Sequence, residues 1–212
     1  MSTINFKDRE IVCKIVYYGP SMSGKTTNIC RIHESAPDGS KSTLQCVDTR
    51  GDRTLFFDHF ALDVGQVGSM RVRFQIYGVP GQPHYRVTRK MVLSGVDGIV
   101  FVADSDPARL GDNLESLEDM RQLMAEHGYN QSATPTVIQY NKRDLPNAQS
   151  VGELEKVLNG RAHHRCFEAV AVEGKGVIDT FKAICNDVVA NLNRGASPRD
   201  AAGNHVAALR GG

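Results

Sequence analysis

The run Gly19-Pro20-Ser21-Met22-Ser23-Gly24-Lys25-Thr26 has the spacing of a glycine-framed loop closed by Gly-Lys-Thr, the phosphate-binding P-loop. Ile11–Tyr18 (IVCKIVYY) reads as a strand before it and Thr27–Glu34 as the opening of a helix after it. A strand that turns sharply into a helix aims backbone N–H groups and the positive helix end at one point, which suits a polyphosphate. Lys25 would reach the β- and γ-phosphates, and the Thr26 hydroxyl would take one position on Mg²⁺. Gly24 would let the backbone pass where a Cβ would clash. Gly19, Ser21, Met22, Ser23 and Thr27 are the remaining candidate phosphate contacts of this loop.

A second motif narrows the nucleotide. Thr136–Tyr140 (TVIQY) reads as a buried strand and runs directly into Asn141-Lys142-Arg143-Asp144. In an N-K-x-D loop at a strand end, the Asp144 carboxylate can accept from the guanine N1–H and exocyclic amine. Adenine offers neither donor, and an unpaired buried charge costs about 1–3 kcal/mol or more. Asn141 would bridge to the P-loop side, and the stem of Lys142 would lie across the base. GTP or GDP is therefore favoured over ATP.

Two further loops could complete the chemistry. Arg50-Gly51-Asp52-Arg53-Thr54 precedes a strand, and its Thr54 could finish Mg²⁺ coordination and sense the γ-phosphate. Gly78-Val79-Pro80-Gly81-Gln82 follows a strand, so the Gly81 N–H could bond the γ-phosphate and Gln82 could orient the attacking water. Without the P-loop, the second would read as an ordinary turn and Arg53 as a solvated charge.

The elements that must position these loops alternate along the chain. Leu44–Val47, Thr54–Leu62, Met70–Tyr77, Gly98–Ala103 and Cys166–Ala171 read as strands, with a turn near Gly65–Ser69. Tyr85–Leu93, Leu110–His127, Val151–Asn159 and Val177–Leu192 read as helices. In the second of these Leu110, Leu114, Leu117, Met120 and Leu123–Met124 fall at helical spacing, and Gly128 ends it. Alternation of this kind predicts an α/β fold with a mostly parallel, doubly wound sheet, and ligands at the carboxyl ends of its strands. Glu115, Glu118 and Asp119 read as a solvated helix face, and His163-His164 as a solvated basic turn. The Phe56-Phe57 pair reads as packing within a strand.

Composition sets bounds. At 212 residues, one domain with a sizeable core is expected over residues 1–194, followed by a Gly/Ala-rich flexible tail over 195–212. The net charge of +1 gives no bulk attraction to nucleic acid. Five scattered cysteines show no metal-ligand spacing, and reduced thiols in a cytoplasmic protein are expected. No signal peptide, membrane-spanning run, N-myristoylation motif or prenylation box is read, so no stable membrane anchor is expected.

The runs CKIVYYGP, SGKTTN, DRTLFFD, VPGQ, GVDG, VFVADS, NLESLE and VIQYNKRDLPNA make the sequence resemble the MglA-like bacterial Ras-like small GTPases, a gliding-motility and cell-polarity family. The resemblance covers about residues 1–194, with NKRDLPNA and DRTLFFD its most specific parts. It implies a Ras-like G domain of the P-loop NTPase class with an additional strand in the switch I region. It also implies a GTP/GDP cycle with Mg²⁺ and stimulation by MglB, a small roadblock-fold dimer. An exchange factor, polarity or motility effectors and recruitment to cell poles are further implications. Residue by residue, the family's intrinsic arginine finger matches Arg53, its switch threonine Thr54, its catalytic glutamine Gln82 and its guanine readers Asn141, Lys142 and Asp144. Val170-Ala171 stand where its last guanine-contacting loop lies. In this family the switch region faces the partner, which gives Phe56-Phe57 an interface reading as well.

The chain departs from the family pattern in the P-loop and before VPGQ. Ser21 stands where the family has Gly, Met22 where it has Leu, and Gly78 where it has Thr and most small GTPases have an Asp that holds the Mg²⁺ hydration shell. The expectation is weaker Mg²⁺ dependence or slower hydrolysis. Two readings follow: a slow GTP-hydrolysing switch whose rate a partner sets, with Gln82, Arg53 and Lys25 catalytic, or a catalytically impaired guanine-nucleotide-binding scaffold.

Overall fold

Apolar strands flanked by amphipathic helices on both faces give this chain one sheet between two helical layers. A computed structural model describes residues 3–5, 8–47, 57–67, 69–160 and 162–193. The strands are β1 (Thr3–Asn5), β2 (Glu10–Tyr18), β3 (Gln45–Val47), β4 (Phe57–Val67), β5 (Met70–Gly78), β6 (Gly98–Asp104), β7 (Thr136–Asn141) and β8 (Arg165–Glu168). They lie in the order β3-β4-β5-β2-β6-β7-β8, with β1 beside the start of β2. From β5 to β8 every pairing is parallel. The edge β3-β4-β5 is antiparallel, and so is β1 with β2. The expected mostly parallel α/β sheet is present, with an antiparallel margin.

The helices are α1 (Lys25–Ser35), α2 (Arg86–Leu93), α3 (Leu110–Glu126), α4 (Val151–Leu154) and α5 (Val177–Asn193), α4 running on as a π turn over Glu155–Asn159. α1 and α5 cover one face, where Ile29 and Ile32 meet Phe60, Phe74, Phe181, Ile184 and Val188. α2, α3 and α4 cover the other, with Val92, Leu93, Leu117, Met120, Leu123 and Leu154 over Ile99, Phe101 and Ile138. All seven residues of β6 and all six of β7 are buried, as strands covered on both faces must be. No helix among the described residues is long and apolar enough to cross a membrane.

Three details differ from the reading of the sequence. β4 continues through the expected turn at Gly65–Ser69 as far as Val67, which pairs with Met70. Gly65, at φ +121°, sits where the register shifts between Asp63 and Gly65; a left-handed residue absorbs the extra residue of such a bulge. β8 ends at Glu168, and Ala171–Glu173 form a 3₁₀ turn. Leu114 is exposed in spite of its helical spacing, because α3 presents Asn113, Leu117 and Met120 to the sheet instead. Arg53, Thr54, Phe56 and the tail 195–212 lie outside the described residues.

Leu123 is fully buried in the α3 layer, outside the phosphate, glutamine and Asn-Lys-Arg-Asp loops. Leu123→Ala should lower the free energy of unfolding by about 3 kcal/mol, measured by urea denaturation. A loss under about 1 kcal/mol would show that α3 repacks freely.

Candidate nucleotide and phosphoryl-transfer site

The loop after β2 is shaped by one glycine and one lysine. Gly24 has φ +100°, and a Cβ there would stand 2.2 Å from Asn141 Nδ2, so only glycine fits. Lys25 opens α1 and is buried, with Nζ donating to the carbonyls of Gly19 (3.0 Å) and Pro20 (2.6 Å). Burial, reinforced by repulsion from Arg89 and opposed by Asp58, pulls the Lys25 amine down to about 7. Thr26 is exposed at the helix start and Thr27 half-buried; Met22 is exposed at φ +63°, and Ser23 is buried. The half-buried Ser21 receives a hydrogen bond on its carbonyl from Arg109 Nη2, at 2.8 Å.

Gly81 lies directly on this loop. A Cβ at Gly81 would stand 2.3 Å from Ser21 N, so the two backbones are in contact. Gln82, next in the chain, is exposed. Its segment is clamped by Arg89 of α2, a residue that no motif singles out. Arg89 is 5% exposed. Its Nη1 donates to Gln82 O (2.5 Å) and Pro80 O (3.3 Å), its Nη2 to Pro83 O (3.3 Å) and its Nε to Asp119 (2.8 Å). Asp119 therefore does not belong to the solvated face expected for it. It also accepts from Tyr18 Oη (2.5 Å), at the residue before the P-loop, and from Arg86 Nε (2.9 Å). A carboxylate with two arginines and a buried tyrosine around it is drawn inward by charge, which helical spacing does not encode. Glu115 and Glu118 are exposed, as expected.

Gly78 ends β5 and pairs with Asp58 of β4. Asp58 Oδ2 accepts from Thr26 Oγ1 at 2.6 Å, and a Cβ at Gly78 would lie 3.3 Å from that same oxygen. Position 78 carries no carboxylate, and the one that stands beside Thr26 is Asp58 on the neighbouring strand. The donor set of Thr26 hydroxyl and Asp58 carboxylate is all hard oxygen and suits Mg²⁺.

The base side is built at the ends of β7 and β8. Asn141 is buried, with Nδ2 donating to Ser23 O (2.8 Å) and Oδ1 accepting from Ala171 N (2.9 Å). Lys142 takes φ +65° and reaches Asp104 at 2.6 Å. Asp104, 1% exposed at the end of β6, lies beside Asn141 in register, and the Asn113 side chain of α3 bonds both its N–H and its C=O. Asp144 is exposed and free to meet a planar donor edge, and Val170 and Ala171 are buried at the base of the loop. The structure brings together Gly19–Thr27, Gly81-Gln82, Asn141–Asp144 and Val170-Ala171; Arg53 and Thr54 are outside the described residues.

The low position of Lys25 has a measurable consequence. Phosphates would restore its charged form, so between about pH 7 and 10 the complex holds more protons than the free protein. Binding at pH 8 should take up about one proton per nucleotide, and affinity should fall as pH rises above 7. Calorimetry in buffers of different ionisation heat reads this directly; no proton uptake at pH 8 would contradict it.

The family model of the ADP-ribosylation factor family matches residues 2–188. Mutual gliding-motility protein MglA of Myxococcus xanthus (strain DK1622) is 50% identical over 195 residues, spanning 92% of this chain and 100% of that protein. ADP-ribosylation factor-like protein 4A of Homo sapiens is 31% identical over 145 residues, 68% of this chain and 64% of that one. ADP-ribosylation factor-like protein 4D of Mus musculus is 30% identical over 146 residues, with the same shares. With a P-loop, a glutamine loop and an Asn-Lys-Arg-Asp loop converging on one end of the sheet, the chain belongs to the ADP-ribosylation factor family, as an MglA-like small GTPase that binds and hydrolyses GTP.

Proposed function

We propose that this protein is a slow GTP-driven switch, stimulated by an MglB-like roadblock dimer and acting in cell polarity or motility, built as a G domain over 1–194 with a tail over 195–212. The contact between Gly81 and Ser21 carries the reading. It sets the glutamine loop on the phosphate loop, so that a change at the terminal phosphate must move Gln82 and the helix behind it.

In this reading Lys25 moves from the loop carbonyls to the β- and γ-phosphates, and the P-loop N–H groups of residues 21–27 cradle them. Thr26 and Asp58 would hold Mg²⁺, with Thr54 as a further oxygen donor. The ion would neutralise charge between the β- and γ-phosphates. The Gly81 N–H bonds the γ-phosphate, and Gln82 orients the water for in-line attack. Arg89 positions that loop through the carbonyls of Pro80, Gln82 and Pro83. Arg53 serves as the arginine finger, a role worth about 10³–10⁵ in rate. Asp144 reads the guanine N1–H and amine, Lys142 lies along the base, and Asn141 holds the loop.

One observation favours the scaffold alternative. Ser21 is crowded against Gly81 and its carbonyl is tied to Arg109. A small displacement of the attacking water there can cost about a hundredfold.

Single-turnover hydrolysis of bound GTP, with and without an MglB-like dimer, separates the two. The switch predicts clear stimulation by the dimer. Gln82→Ala should cut the rate about a hundredfold, and Arg89→Ala about tenfold or more, both with GDP affinity kept. Tight guanine binding with no turnover in either arm would establish the scaffold instead. A second measurement concerns the metal. Asp58→Ala should raise the Mg²⁺ concentration needed to retain GDP by about tenfold, read as nucleotide release against Mg²⁺, and an unchanged midpoint would remove Asp58 from the metal site.

A further inference from the structure

β7 carries a polar residue where a strand buried on both faces should carry none. Gln139 is 0% exposed between Ile138 and Tyr140, and its amide is wholly inside the α1–α5 layer. Buried amides are expected to be bonded, and this one reaches both covering helices. Its Nε2 donates to Asn28 Oδ1 of α1 at 2.9 Å and to Thr180 Oγ1 of α5 at 3.0 Å. Asn28 and Thr180 are themselves 0% exposed. Each passes the connection on to backbone. Asn28 Nδ2 donates to Gly24 O at 3.0 Å, and Thr180 Oγ1 to Gly176 O at 2.7 Å. Gly24 belongs to the phosphate loop. Gly176 closes the turn whose other limb is Val170-Ala171, through the Val170–Lys175 bridge.

Asn141, two residues on along the same strand face, does the same thing one step nearer the ligand. It ties Ser23 of the phosphate loop to Ala171 of the base loop. β7 therefore bears two parallel cross-ties between the same two loops, one at Asn141 and one at Gln139. Gln139, Asn28 and Thr180 themselves belong to no ligand position and reach the site only through the backbone of Gly24 and Gly176. The cost of the tie is visible, since Gln139 Oε1 is buried with no partner among the described residues, and an apolar residue would avoid that.

We propose that Gln139, Asn28 and Thr180 form a positioning bridge that sets how long the nucleotide stays bound. The bridge makes the phosphate loop and the base loop one body, so that release requires the ligand to leave both at once. Cutting it leaves the Asn141 tie alone to join the two loops, so they part more often while the direct contacts are intact. This rests on the proposed guanine-nucleotide site between those loops.

The test is the release rate of GDP bearing a fluorescent ribose tag, with Mg²⁺ present and excess unlabelled GDP, well below each variant's unfolding temperature. Gln139→Leu and the near-isosteric Thr180→Val should each speed release about tenfold, the scale of one buried hydrogen bond. Thr180→Ser keeps the hydroxyl and should stay within about twofold of the parent. Leu123→Ala is the control for stability loss alone and should also stay within about twofold. Release from Gln139→Leu and Thr180→Val within twofold of the parent overturns the bridge, and so does equal acceleration by Leu123→Ala. If the parent chain fails to retain tagged GDP at all, the site reading falls; retention by the parent with unchanged variants removes the bridge alone.

Discussion

The Asn141 side chain is wholly committed to backbone, with its two amide atoms facing opposite ways toward Ser23 O and Ala171 N. Neither an aspartate nor a leucine could keep both, because one lacks the donor and the other lacks everything. The loops it joins are 118 and 30 residues away from it in sequence. Gly24 has to lack a Cβ because this amide occupies the space. The end of β7, the start of α1 and the turn before α5 are therefore placed by this buried group, with the Gln139 tie behind it. The sheet's parallel half, with β2, β6 and β7 in register, is what delivers the three ends to the same edge.

Charge organises the other side of the site. Lys25 and Arg89 are both buried and repel each other through Lys25's surroundings. The Arg89 guanidinium is held by Asp119 and by three carbonyls. The Lys25 amine drops because it is buried, with repulsion from Arg89 added and Asp58 opposing. A fixed guanidinium and an amine that a polyanion would recharge, both held in low dielectric beside the phosphate loop, form an environment already oriented for a polyanion. The energetic cost of desolvation is met in folding, before any substrate arrives. Arg86 and Lys90 extend the same logic to the surface through Glu126.

The parts of this site legible in the sequence are the ones made by contiguous residues. Gly19–Thr26 and Asn141–Asp144 announce themselves because the chemistry needs neighbouring backbone groups, so their spacing is local. Gly81-Gln82 is legible for the same reason. Asp58, Arg89 and Asp119 are not, because their roles come from strand register, a helix–helix crossing and a buried charge cluster. Gln139 hid inside an apolar run, where a single amide does not disturb the strand pattern. Leu114 had the right period and still faced solvent, since a wide apolar stripe does not say which edge of it meets the sheet. The continuation of β4 past Gly65 was masked by a glycine that reads as a turn and acts as a bulge. Arg53 and Thr54, the residues that the resemblance weights most, lie outside the described residues.

The closeness of position 78 to Asp58 constrains how such a site can change over descent. A side chain at 78 would meet Ile29 Cδ1 at 2.6 Å as well as the Asp58 carboxylate. An acidic residue on β5 and one on β4 would compete for the same volume with the same sign of charge. A lineage moving its carboxylate from one strand to the other would cross either a crowded ancestor with both or an impaired one with neither. The first is strained by like charge and sterics, and the second lacks an oxygen beside Thr26. Positions 58 and 78 are therefore coupled, and a carboxylate on one strand leaves little room for one on the other.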